Sequence, residues 1–119
     1  MGRMKSFKVL VVWQKAHEFV IKTYKITNLF PSEERFGLTS QMRRAAISIP
    51  ANLAEGFVKR GIKDKSNFYN IAQGSLSELQ YYLILSKDLG YIKEDEELLS
   101  DTDSIGRLLN KLWTSLNPS

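Results

Sequence analysis

The sequence predicts an all-α protein, an antiparallel up-and-down four-helix bundle, on three observations. Four long stretches repeat apolar residues at helical spacing. Short connections marked by proline or glycine separate them. Beyond the alternation of Phe7, Val9 and Val11, no segment carries the two-residue period of a strand. The 119 residues make one domain, 1–119, large enough for a single core and too small for two.

Helix one is read from Val9, with Val9, Val12, Trp13, Ala16, Phe19, Val20, Tyr24 and Thr27 inward, up to Phe30, where Pro31 enforces the stop. Lys8, Lys15, Glu18, Lys22 and Lys25 form its solvated face. The alternation at Phe7, Val9 and Val11 leaves open an extended arm before the helix. Pro31 to Gly37 is a connection with one turn at Ser32, Glu33 and Glu34.

Helix two starts near Leu38, with Leu38, Met42, Ala45, Ile49, Leu53 and Gly56 on one stripe. Pro50 removes the amide that would bond to Ala46, at ~3 kcal/mol in a plain helix, so a kink is expected there. The helix is expected to end at Arg60, with Gly61 just past its C-terminus. Asp64 or Ser66 is the expected cap of helix three. Its stripe runs through Phe68, Ile71, Ala72, Ser75, Leu76, Leu79, Tyr82, Leu83, Ser86 and Leu89 and closes at Gly90. The small residues Ala72, Gly74 and Ser75 face Ala45 and Ala46 and predict a close helix pair. Helix four opens on Glu94 to Glu97, acids that suit the positive end of a helix dipole. Its inner face is Leu98, Thr102, Ile105, Leu109, Leu112, Trp113 and Leu116.

Gln41, Arg44, Ser48, Asn52 and Glu55 form a polar seam along one edge of the helix-two stripe. Such a ladder is costly unless each group finds a partner. The seam is therefore expected to hold helices or subunits in register through buried hydrogen bonds and an ion pair of Arg44 or Glu55. Apolar residues also project off the stripes: Ile47, Ala51 and Ala54 on helix two, Tyr81, Ile84 and Leu85 on helix three, Ile21 and Leu29 on helix one. Contiguous patches of this kind predict a homo-oligomer.

The chain has no cysteine, which excludes disulfides, thiolate nucleophiles and cysteine-based metal centres. The only histidine, His17, is read as a packing or surface residue. Ser48, Asn52 and Glu55 lack the spacing of a nucleophile, base and orienter. Glycine-rich phosphate loops and paired-carboxylate signatures are lacking too. We expect a non-enzyme with no metal and no cofactor. No apolar run approaches the ~18 residues a membrane span needs, and Val9 to Trp13 is too short for a signal segment; a cytoplasmic protein without membrane contact is expected.

The net charge is +4, unevenly placed. Residues 1–65 hold thirteen Lys or Arg against five acids, and residues 66–119 hold four against eight. That asymmetry suits either nucleic acid on the basic half or head-to-tail contact between copies. The foremost binding candidate is the turn with Lys59, Arg60, Lys63 and Lys65, with Arg43 nearby on an outward face of helix two and Lys15, Lys22 and Lys25 on helix one. Phe68 belongs to the predicted core stripe, which leaves Tyr69 as the aromatic free to stack on a base. The alternative is a protein–protein scaffold.

Three segments, VWQKAHEFV (12–20), FPSEERFGLTSQMRRAAISIPANLAEGF (30–57) and IAQGSLSELQYYLILSKDLGYI (71–92), closely resemble the four-helix-bundle family of 23S ribosomal RNA intervening-sequence proteins. The likeness runs nearly end to end. It implies a bacterial, intracellular protein assembled as a ring-like homopentamer. That family is in turn similar to the accessory variability determinant of diversity-generating retroelements, which binds nucleic acid and a reverse transcriptase. The resemblance therefore implies a non-catalytic adaptor with RNA or DNA, and a reverse transcriptase, as partners. The family's Arg-Arg, Ser, Asn and Glu-Gly positions fall on Arg43, Arg44, Ser48, Asn52, Glu55 and Gly56. Lys8 and Lys65 stand where relatives often carry acids.

Overall fold

The computed structural model describes residues 6–117. Four helices, α1 (Val11–Thr27), α2 (Leu38–Val58), α3 (Ile62–Asp88) and α4 (Glu96–Leu116), account for most of them, with short 3-10 turns at Phe7–Val9 and Ser32–Glu34. No strand occurs among the described residues.

Phe7–Val9 is neither an extended arm nor the start of α1. The Ser6 hydroxyl oxygen accepts from the Lys8 amide at 3.1 Å and closes a separate turn. Val9 is consequently exposed, and α1 begins two residues later. Its buried face is Val12, Ala16, Phe19, Thr23 and Thr27. The hydroxyls of Thr23 and Thr27 donate to the carbonyls of Phe19 and Thr23, each at 2.8 Å, so both are buried without an orphaned polar group.

Glu34 joins two connections. One carboxylate oxygen accepts from the Leu38 amide at 3.2 Å, satisfying a free donor at the start of α2, and the other accepts from the Tyr91 hydroxyl at 2.8 Å, on the α3–α4 connection. That hydrogen bond, aided by desolvation, raises the Tyr91 pKa above that of an ordinary phenol.

The helix α2 continues through Pro50 and stops at Val58, two residues before the expected Arg60. Gly61 is not a C-terminal glycine. Its backbone is extended (φ −83°, ψ 143°) and it is the N-cap of α3. The expected caps fall inside that helix instead, Asp64 in its first turn and Ser66 buried. Gly90 does what was expected: at φ +82° it lets its own amide reach the Lys87 carbonyl (2.9 Å) and the Tyr91 amide reach the Ser86 carbonyl (2.8 Å). Leu89 and Asp95 flank the turn into α4.

Each helix packs on the next, and α4 closes back on α1. The direction of packing is legible in pairs of contacts. Ser75 meets Ser48 while Tyr69 meets Gly56, so α2 and α3 run in opposite senses. Lys22, late in α1, meets Asp101, early in α4, and Asn117 beyond α4 reaches Ser66 near the start of α3.

The α2–α3 pair is the most extensive in the molecule, and small residues permit it: Ala45, Ala46, Ala72, Ser75 and Gly56 are all buried. Gly74 is not part of it; the residue is exposed, with open space beside it. Gly56 is the closest approach, since a methyl group there would lie 2.6 Å from the Tyr69 ring. Tyr69 is therefore the buried aromatic at 3% exposure, and burial raises its pKa, whereas Phe68 and the exposed Ile71 lie off the core stripe. Trp113 is half-buried on α4, and its indole N–H has no acceptor among the described residues.

Candidate nucleic-acid interface

The turn between α2 and α3 was expected to offer four cations. Lys65 is not one of them. Its ammonium donates to the carbonyls of Phe57 (2.8 Å) and Gly56 (3.1 Å), two acceptors left free by the last turn of α2. A cation there also suits the negative end of the helix dipole. Lys65 thus makes the C-cap that glycine was expected to make.

Lys59 is half-buried, 3.7 Å from Glu55 and 5.3 Å from the centre of the Phe68 ring. Arg60 and Lys63 are exposed and have neither an ion pair nor a side-chain hydrogen bond among the described residues. Tyr69 is buried, not free to stack; the half-buried aromatic at this end of α3 is Phe68, whose ring is already met by the Lys59 ammonium.

Arg43 is neither outward nor near this turn. It sits at the opposite end of α2, fifteen residues before Val58, or ~22 Å along the helix. Its Nε donates to Thr27 Oγ1 (2.9 Å), its Nη2 to Asn28 Oδ1 (3.0 Å), and the guanidinium lies 4.3 Å above the Tyr24 ring. It fastens the end of α1 to α2.

On α1, Lys22 is tied to Asp101 at 2.8 Å, and that bond raises its pKa against the opposing effect of burial. Lys15 and Lys25 are exposed. Lys15 lines an open groove between α1 and α4 together with Ser104, Arg107, Leu108 and Lys111. Sequence reasoning missed Arg107 and Lys111. The available signal was their i, i+4 spacing, which puts two cations on one ridge of α4.

The polar seam divides into two parts. In its centre Asn52 Nδ2 donates to the Ser48 carbonyl (2.7 Å) and hydroxyl (2.9 Å), and Ser75 donates across the helix pair to Ser48 Oγ (2.7 Å). Its ends are exposed: Gln41, Arg44 and Glu55. The expected buried ion pair of Arg44 or Glu55 does not occur among the described residues of this one chain. Arg44 has no carboxylate partner among the described residues, and the partner of Glu55 is Lys59 on the surface. The reason is rotational: Arg44 and Glu55 lie on the outer face of α2, beyond the Ser48 edge.

The off-stripe apolar residues are also distributed. Ile47, Ala51 and Ala54 line an apolar groove between α1 and α2 whose other wall includes Trp13 and His17, stacked at 5.1 Å. On α3, Tyr81 and Ile84 are exposed while Leu85 is half-buried against the core. Groups of three or more His, Asp or Glu side chains able to hold a metal do not occur among the described residues, nor does any helix long and apolar enough to cross a membrane.

The sequence profile of the 23S rRNA-intervening sequence protein family matches residues 8–111. A crystal structure of a Bacteroides thetaiotaomicron protein of unknown function, from the S23 ribosomal protein family, superposes with a TM-score of 0.80 at 28% identity, over 87% of this chain and 96% of that one. Among curated protein sequences none matches significantly.

Proposed function

The chain belongs to the 23S rRNA-intervening sequence protein family, and on that premise we propose that it is a non-enzymatic nucleic-acid-binding adaptor. The observation that carries this reading is the pair Arg60, in the α2–α3 connection, and Lys63, in the first turn of α3, both exposed and unpaired among the described residues. Lys65 ties the start of α3 back to the end of α2, so the two free cations are presented at little conformational cost. Lys25 is exposed too, but in the last turn of α1, at the Arg43 end of the bundle and away from this turn. Contacts of this type engage phosphates without reading bases, so RNA and DNA are both ligands in principle.

Assembly as a ring-like homopentamer in the cytoplasm, with a reverse transcriptase as protein partner, completes the reading. The α1–α2 groove with Ile47 and Ala51, and the exposed Tyr81 and Ile84, supply apolar surface for neighbouring copies. Repetition of the turn around a ring would multiply weak phosphate contacts.

The test is fluorescence anisotropy of a labelled RNA hairpin and a matched DNA duplex across a potassium chloride series, after the mass is measured by light scattering. Binding that weakens steeply with salt, and whose slope shrinks in Arg60→Gln/Lys63→Gln, supports the reading. Absence of binding at low salt overturns it. In that case the apolar groove favours the second reading, a protein–protein scaffold, and a monomer mass would leave that groove free for a different protein.

A further inference from the structure

We propose that the groove between α1 and α4 is a phosphate-backbone site, with Lys15, Arg107 and Lys111 as its cations and Ser104 as a hydroxyl donor. It rests on the nucleic-acid reading above and assigns that function a second, separate surface. The three cations come from two helices and line one open groove, with Leu108 also in its lining. All three are exposed, and none is in an ion pair among the described residues.

Local structure does not account for them. Arg107 and Lys111 are like charges at i, i+4, an arrangement that costs a helix a few tenths of a kcal/mol. They precede the last turn of α4, where a cation would gain from the dipole. The nearest acid on the same helix ridge, Asp103, accepts instead from the Gln80 amide at 3.0 Å. Arg107 Nη2 donates to Ser104 Oγ at 3.1 Å, which orients the guanidinium and leaves the serine O–H to donate to an incoming oxygen.

The adjoining cleft shares Lys15 and Ser104 and adds Glu18, Lys22 and Asp101. Asp101 is occupied by Lys22, and Glu18 repels phosphate. A polyanion is therefore confined to the Lys15, Arg107 and Lys111 end.

The experiment compares the full chain with Arg107→Gln/Lys111→Gln and with Arg60→Gln/Lys63→Gln, using the RNA hairpin across the same salt series. Circular dichroism melting and light scattering establish that each variant keeps its fold and mass. With the groove engaged, Arg107→Gln/Lys111→Gln loses roughly tenfold in affinity per cation near ~0.1 M salt, and the slope of log affinity against log salt shrinks by about 0.7 to 0.9 for each. If that variant keeps the parent's affinity and slope while the turn variant weakens, the groove assignment is wrong and the nucleic-acid reading stands. If the parent itself binds no RNA at low salt, both fall.

Discussion

The α2–α3 turn and the α1–α4 groove both gather cations, but they use them differently. At the turn, Lys65 is bonded to two carbonyls and Lys59 lies beside Glu55 and Phe68, so two of four cations serve the fold. In the groove, Lys15, Arg107 and Lys111 have no acidic partner among the described residues. The turn is the richer in sequence and the groove is the richer in available charge. A count of basic residues along a segment therefore overstates a binding surface wherever helix ends need donors, because a C-terminal turn leaves carbonyls that a nearby lysine satisfies.

The sharpest way to break this contrast is at the helix crossing that builds the turn. Gly56→Ala places a methyl group 2.6 Å from the Tyr69 ring. Despite the better helix propensity of alanine, the overlap should cost about 1–3 kcal/mol, read as a lower thermal midpoint. A variant as stable as the parent would mean that Tyr69 is not wedged there. Next, Lys65→Met removes two charge-assisted hydrogen bonds but keeps the aliphatic stem, and about 1–2 kcal/mol of stability should go with them in denaturant unfolding, given partial exposure. Arg43→Met, at the other end of α2, should cost a similar ~1–2 kcal/mol through its loss of Thr27 and Asn28.

Smaller still is the alkaline effect at the border of the groove. The Lys22 pKa is raised above 10.5, first by its hydrogen bond to Asp101. Its folded state therefore holds the proton more tightly than the unfolded chain. The stabilisation is complete below pH 10.5 and is lost as pH rises through the raised value. At this exposure the pair contributes only ~0–1 kcal/mol. The decline in melting temperature above that pH should be shallower in Lys22→Met; Tyr91→Phe serves as the companion variant, because the Tyr91 pKa is raised in the same direction. The least effect is expected in the groove itself: Arg107→Gln and Lys111→Gln should stay within ~0.5 kcal/mol of the parent. A loss above 1 kcal/mol there would make these cations structural and erase the difference from the turn.

Most of the architecture was legible in the sequence. The helical period, Pro31 and the pairing of Gly90 with a helix end each act within a few residues, so four helices and their order follow from local rules. The stripe of α2 was legible for the same reason. The errors cluster where a distant residue decides. Phe68 and Tyr69 exchanged places because Gly56, on another helix, leaves room for one ring only. Gly61 lost the capping role because Lys65, a turn into the next helix, reaches back to the free carbonyls. The seam was half right: the period fixes Ser48 and Asn52 on an edge, but whether Arg44 and Glu55 are covered depends on what packs beyond that edge.

The sequence by itself determined that this is an all-helical chain with a basic first half, a cysteine-free composition and four amphipathic helices, since these depend on residue type and spacing alone. Tertiary structure decided which cations remain available, because a lysine becomes committed only when a carbonyl or carboxylate from elsewhere comes within ~3 Å of it. It also brought Lys15 of the first helix opposite Arg107 and Lys111 of the last, some ninety residues apart, a meeting that closure of α4 onto α1 creates and no local pattern encodes.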